Sequence, residues 1–260
     1  MPGQDDVAGE IRELAQRRGF RVGFARAEDM EQYAGIYVGW IIRQPTRRPA
    51  EVLPGARTAI VVAAQIRDPA EDLAVRLPGG GWRYPGYGTV AMRAREVCNL
   101  LVARGHRAVL TPDAISLKNL ARLTGLGTFG KNSLLITPDC GPDLRLEGIL
   151  TDAVLPPDHP WEGDLCGNCS ACVEACPVGA LEPFRVDDEK CLVGLTLGGP
   201  GRMPPPEVVA RHEPRLTAGS HIMCRACQDA CPRSRLRDIR FLFTSPGPSQ
   251  PTQDPQRRLQ

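Results

Sequence analysis

Ten cysteines occur in this 260-residue chain, and eight of them are spaced as ligands of an electron-carrying metal centre. The stretch CGNCSACVEACPVG places Cys166, Cys169, Cys172 and Cys176 in the pattern C-x2-C-x2-C-x3-C-P. Three cysteines at this tight spacing reach three irons of one 4Fe-4S cubane. The fourth, ahead of its proline, serves a different cluster. A second half-set must then exist, and Cys224, Cys227 and Cys231, the last followed by Pro232, supply it. Cys191, in DEKCLVGLT, lies between the two runs. Crossing the two Cys-Pro cysteines completes both ligand sets. Cluster one takes Cys166, Cys169, Cys172 and Cys231; cluster two takes Cys176, Cys191, Cys224 and Cys227. Two structural zinc sites are the competing reading, since zinc also takes four cysteines. Zinc sites pair C-x2-C knuckles, however, and not a triple followed by Cys-Pro. Cys98, on a helical stretch, and Cys140, after TPD, read as ordinary buried residues.

Something must position these thiols. Val7, Ile11, Leu14 and Ala15 form one stripe of a helix over residues 7–18. FRVGFARAE reads as a short strand, and RTAIVVAAQI (57–66) as a buried one. GIYVGWIIRQPTRRPAEVLPGA starts helical and breaks at its prolines. PGGGWRYPGYG (78–88) reads as an irregular loop, and residues 89–105 as a strong helix stopped by Gly105. RAVL predicts a strand. A short helix over 116–125 takes Ser116 as its N-cap, and NSLLIT and LEGILTDAVL predict two more strands. The expected architecture is therefore an α+β domain over residues 1–158 with a mixed or antiparallel sheet. A metal-organised unit follows over 159–243, where apolar periodicity fades and cysteine takes over. The Pro/Gln/Ser-rich stretch 244–260 reads as a disordered tail.

A formal charge of +2 with 24% charged residues points by itself to neither a nucleic-acid nor a membrane partner. No apolar run is long enough to span a bilayer, and the N-terminus lacks the apolar core of a signal peptide. A cytoplasmic protein is expected, in which cysteines serve metals rather than disulfides. Four histidines are scattered, with His221 near Cys224. The run PRSRLRDIRF (232–241) concentrates Arg233, Arg235, Arg237 and Arg240, suited either to a solvated helix face or to docking an acidic donor or RNA phosphates.

GLGTFGK contains Gly125, Gly127 and Gly130 in the pattern G-x-G-x-x-G. A dinucleotide fingerprint follows a strand and opens a helix; here a helix precedes and a strand follows. The remaining readings are a helix-to-strand turn, or a backbone surface open to a large flat cofactor with Lys131 and Asn132 as polar contacts. Tyr84 and Tyr87 in RYPGYG are candidates to line the same pocket.

Taken in order, LTGLGTFGKNSLLITP, LEGILTDAVLP, the first cysteine run, KCLVGLT and the second run resemble epoxyqueuosine reductases from about residue 111 to 232. VLPGARTAIVVA and WRYPGYG match that family's N-terminal half more loosely. The resemblance implies a nitroreductase-like α+β domain cradling base-off cobalamin, followed by a bacterial-ferredoxin-like two-cluster module. That plan is shared with reductive dehalogenases. It implies a low-potential electron donor, a flavodoxin or ferredoxin, and as substrate a small molecule or a modified nucleoside, with tRNA as one carrier. The family's proton-donating acid lies in a D-S-A-P stretch. Here the region reads LTPDAISLKNLA, where Asp113 is the nearest acid and Thr111 takes the ungapped position. The family also carries a further C-terminal helical-repeat domain, which this sequence, ending at residue 260, does not show. Two functional readings follow: a reductase with its own substrate, or an electron carrier serving another corrinoid or redox enzyme.

Overall fold

The computed structural model describes residues 6–36, 44–111, 113–199 and 201–236. Its central sheet has the order β1-β2-β8-β5, formed by β1 (Arg21–Arg26), β2 (Thr58–Gln65), β8 (Leu144–Thr151) and β5 (Ala108–Leu110). Every strand pairing among the described residues is antiparallel. Strand β2, TAIVVAAQ, lies between β1 and β8, and both its faces are covered. Ile60 and Val62 join a core with Ile11, Val97, Leu101 and Ile149, under helices α1 (Val7–Arg18) and α3 (Pro85–Ala103). Ala59, Val61 and Ala63 face the opposite core with Leu120 and Leu150, under α4 (Leu117–Leu123). Each large aliphatic side chain buried in this way contributes about 1.5–3 kcal/mol.

Local rules account for the ends of the long helices. At the start of α1, the Asp6 carboxylate accepts from the Gly9 amide at 2.9 Å. Gly19, with φ 69°, closes the helix in the left-handed region, its N–H reaching the Ala15 and Gln16 carbonyls. Helix α3 begins four residues before the stretch expected from periodicity, because Pro85 occupies the first turn, where its missing N–H costs nothing. The irregular loop expected over 78–88 therefore ends in a helix, and it also contains β4 (Trp82–Arg83). Helix α2 (Pro49–Val52) is a single turn. The helical start expected near residue 37 lies outside the described residues.

A second sheet, β11-β12-β3-β4, joins the two halves of the chain. Strands β3 (Leu73–Arg76) and β4 form a hairpin from the first half. Strands β11 (Arg215–Thr217) and β12 (Ser220–Ile222) come from the cysteine-rich half, with Ser220 opposite Val75 and His221 opposite Ala74. The units expected over 1–158 and 159–243 are thus laced through one sheet. Two further hairpins are short: β6 (Thr128–Phe129) with β7 (Leu135–Ile136), and β9 (Leu181–Glu182) with β10 (Arg185–Val186). Among the described residues the cysteine-rich half has only brief helices, α5 (Ala171–Glu174), α6 (Leu192–Thr196), α7 (Pro206–His212) and α8 (Ala226–Asp229). Among the described residues no helix is long and apolar enough to cross a membrane.

Candidate functional site

Each cysteine run wraps a one-turn helix, α5 carrying Cys172 and α8 carrying Cys227. Ahead of α5, the Asp164 carboxylate accepts from the amides of Cys166 and Gly167 at 2.8 and 3.1 Å, and the Cys169 amide donates to the Cys166 carbonyl at 2.9 Å. These turns aim Cys166, Cys169 and Cys172 into a cavity of about 400 Å³, whose wall also includes Cys231 from the second run. The four thiols ring a space rather than a point. Among the described residues, no three His, Cys, Asp or Glu side chains are arranged to hold a single ion. Burial pushes the Cys172 thiol up, and Cys166 and Cys231 push it further; Cys231 responds likewise to burial, Cys166 and Cys169. Crowded, buried thiols resist becoming thiolates unless a cationic centre takes the charge.

A second gathering lies next to the first. Cys227 is held above the ordinary thiol range by burial and then by Cys224, Cys191 and Cys176, with Cys172 of the first gathering also within electrostatic reach. Burial pushes Cys224 up to about 12. The cysteine of each Cys-Pro pair therefore stands with the other run's thiols. Cys98 and Cys140 lie apart, one in each hydrophobic core.

The loop around Cys224 is fastened by buried polar groups. The Cys224 amide donates to Glu213 at 3.0 Å, and Glu213 is 1% exposed. His221 Nε2 lies 3.6 Å from the other Glu213 oxygen, and its ring meets Trp82 edge-on at 5.1 Å. Burial lowers the His221 pKa and raises that of Glu213, so both are driven toward their neutral forms. Arg225, between two cysteines of the second run, donates to Asp143 at 2.8 Å, to Asp229 at 3.2 Å and to Asp72. Asp143 also accepts from Ser234 Oγ and the Arg235 amide at 2.8 and 2.7 Å. Asp72 and Asp143 precede the cysteine runs and belong to the sheet-bearing body, so this network bolts the cysteine loop to it.

The glycine segment is a tight connection into the β6–β7 hairpin. A Cβ on Gly127 would lie 2.1 Å from the Ile136 carbonyl, and one on Gly130 would lie 2.7 Å from Asn132 Oδ1. Gly125, at φ 71°, would meet the His159 carbonyl at 2.6 Å. The three glycines make room for their own chain. Lys131 and Asn132, at the hairpin tip, line the cysteine cavity, and Lys131 Nζ donates to the Gly167 carbonyl at 2.8 Å. Arg233 also lines this cavity and donates to the Leu165 carbonyl at 3.2 Å. Arg237 and Arg240 lie outside the described residues.

A cluster of acids and hydroxyls occupies the region between the start of α3 and the end of β5. Asp113 has φ 54°, a rare region for a side-chain-bearing residue, and burial raises its pKa. Thr111, at the position expected for the family's acid, is fully buried; its Oγ1 has no partner among the described residues and its amide donates to the Gly148 carbonyl at 2.9 Å. The Tyr84 hydroxyl is likewise buried and unpartnered, and its ring lies edge-on to Tyr87 at 6.0 Å. Burial pushes Glu147 up to about 7, and Asp113 adds to the effect. Glu147 was not singled out from the sequence. Its signal is a lone acid in the strand LRLEGILT, where it is 7% exposed.

Comparison with known proteins sets this geometry in context. Residues 165–235 match the 4Fe-4S dicluster domain family. An epoxyqueuosine reductase of Gloeobacter violaceus is 33% identical over 249 residues, covering 87% of this chain and 76% of the relative. This chain belongs to the epoxyqueuosine reductase family. An Escherichia coli member is 35% identical over 140 residues, 53% of this chain. Coverage of relatives varies: the chain spans 61% of a Synechococcus epoxyqueuosine reductase that is 31% identical. Its fold is shared with a crystal structure of epoxyqueuosine reductase bound to an epoxyqueuosine-modified tRNA-Tyr stem loop. The TM-score is 0.64 at 23% identity, covering 87% of this chain and 65% of the solved one. It also resembles a reductive dehalogenase described as B12-dependent, at TM-score 0.55 and 22% identity, over 89% of this chain and 33% of that one. An α+β iron–sulfur oxidoreductase of the epoxyqueuosine reductase family accounts for both cysteine gatherings.

Proposed function

We propose that this family member is a cobalamin-dependent reductase that carries electrons through two 4Fe-4S clusters to reduce an epoxide-bearing modified nucleoside. The carrying observation is the cavity ringed by Cys166, Cys169, Cys172 and Cys231, two sequence-distant runs meeting around one space. In this reading those four cysteines hold one cluster and Cys176, Cys191, Cys224 and Cys227 hold the other. The two lie side by side, as the electrostatic reach of Cys172 to Cys227 indicates. A low-potential flavodoxin or ferredoxin supplies the electrons in the cytoplasm. The buried, unpartnered hydroxyls of Tyr84 and Thr111 suit a ligand rich in amide groups, such as the rim of a corrin ring. Bound cobalamin supplies the strongly reducing metal centre that the reaction needs. The chain's own task is then to hold substrate and protons nearby. Reducing an epoxide consumes two electrons and two protons. Asp113 and Glu147, both shifted by burial toward their protonated forms, are the proton sources in this reading. Asp113 thus replaces the family acid that Thr111 cannot be.

Anaerobic reconstitution tests the reading. About eight irons and eight sulfides per chain are expected for two cubanes, with a base-off visible spectrum on adding cobalamin and turnover of an epoxyqueuosine stem loop. A loaded protein that leaves the cobalamin spectrum unshifted is an electron carrier instead. A colourless, zinc-rich protein removes the proposal altogether.

A further inference from the structure

The tip of the β6–β7 hairpin carries an amide N–H donor that no acceptor among the described residues takes up. Asn132 is 5% exposed. Its Oδ1 accepts from the Leu134 amide at 3.2 Å, which fixes the amide's orientation. Its Nδ2 is buried without a partner, and the side chain lines the cavity of Cys166, Cys169, Cys172 and Cys231. An unpaired buried donor costs about 1–3 kcal/mol, so its retention calls for an acceptor. The hairpin is built to hold this pose. Gly130 leaves room for Asn132 Oδ1, the Gly130 amide donates to the Leu134 carbonyl at 2.8 Å, and the Ser133 amide donates to the Gly130 carbonyl at 2.9 Å. Ser133 takes φ 60° to close the turn, and the half-buried Lys118 side chain donates from Nζ to the Ser133 carbonyl at 2.6 Å.

We propose that Asn132 sets the potential of the cluster held by those four cysteines, its Nδ2–H donating to one of the cluster's sulfurs. The inference rests on the ligand assignment proposed above. Reduction adds one electron and one negative charge to the cubane, spread largely over sulfur, and no proton moves. A hydrogen bond to sulfur therefore stabilises the reduced form more than the oxidised form and raises the potential. The glycine segment thus serves the metal centre through its hairpin tip, which no nucleotide reading of G-x-G-x-x-G anticipates.

The test uses the full chain, reconstituted anaerobically and titrated with dithionite through viologen mediators while electron paramagnetic resonance follows each cluster. Asn132→Leu removes the donor. Asn132→Asp keeps the oxygen that accepts from Leu134 and removes the donor with little change of shape, so it serves if the leucine variant fails to load iron. In either variant one of the two one-electron waves is expected to fall about tenfold in its reduction equilibrium, about 59 mV for a one-electron couple, while the other stays in place. In deuterated buffer, the reduced wild-type protein is expected to show, beyond the couplings of backbone amides, an exchangeable deuteron coupled to that cluster that both variants lack. Two unchanged waves in a fully loaded variant, or retention of that deuteron coupling, overturn the proposal. Cys231→Ala separates the underlying assignment: loss of one cluster's iron supports it. Retention of both clusters removes the ligand set, and the role of Asn132 with it.

Discussion

The sheet-bearing body and the cysteine-rich unit are held together by different physics. The body has a central strand, β2, sandwiched between two apolar cores, and its first helix, α1, ends on ordinary caps. The cysteine-rich unit has helices of one or two turns, a small apolar cluster in which Leu197 and Met223 meet Ala74 of β3, and a buried network of arginine and carboxylates. Its distinctive chemistry is a gathering of mostly half-buried thiols. The difference teaches where cohesion must come from: water exclusion in the one, metal and charge pairing in the other.

The sharpest way to break this symmetry is to withhold iron. The body is expected to keep its slow amide exchange while residues 165–235 lose protection. Structural metal sites contribute on the order of 10 kcal/mol to folding. Equal protection in both halves with and without iron, read by hydrogen exchange, would contradict the contrast. Next in size is Arg225→Met, which leaves Asp143 buried without its cation and Asp72 paired with Arg145 only, among the described residues. Such a break costs about 3–5 kcal/mol and is expected to lower the denaturation midpoint of the whole chain, because the network spans both regions. A loss confined to the cysteine-rich half would show that the two are less coupled than β12 suggests.

Glu147→Gln examines a marked electrostatic cost in the body. Below the ordinary value of 4.5, the carboxyl is protonated in both the folded and unfolded chains. Between 4.5 and about 7 the unfolded chain ionises it first, so stability falls as pH rises. A shift of this size amounts to roughly 3 kcal/mol. The glutamine variant, which keeps an acceptor for the Gly148 amide, is expected to flatten that slope and to melt higher than wild type at neutral pH. An unchanged slope would move the cost elsewhere. The smallest effect, about 1 kcal/mol, is expected from Asp6→Ala at the α1 cap. It should appear in thermal melts with the iron content untouched.

Periodicity and spacing made different parts of this molecule legible. The stripe Val7, Ile11, Ala15 and the apolar run 57–66 announced α1 and β2, since each buries a repeating face. The cysteine spacing announced two gatherings because a cubane's size dictates ligand offsets. What escaped has a common cause: it depends on residues distant in sequence. Glu147 looks like a solvated strand residue until α3 and the Asp113 loop close over it. Arg225 looks like a linker between cysteines until Asp72 and Asp143 arrive from the sheet-bearing body. Gly125, Gly127 and Gly130 allowed either a helix-to-strand turn or an open surface, and only the fold shows that His159 and Ile136 fill the space beside them. Asn132 was legible as a polar contact, but its address, the cysteine cavity, needed the hairpin's direction.

The lacing of β12 against β3 also imposes a schedule on synthesis. Val75 must wait for Ser220, its partner 145 positions later (220 − 75). At typical elongation speeds of 5–20 residues per second, the delay is roughly 7–30 s. Throughout that interval the nascent hairpin presents an open strand flank, so the growing polypeptide needs shelter on the ribosome well before it acquires its first iron.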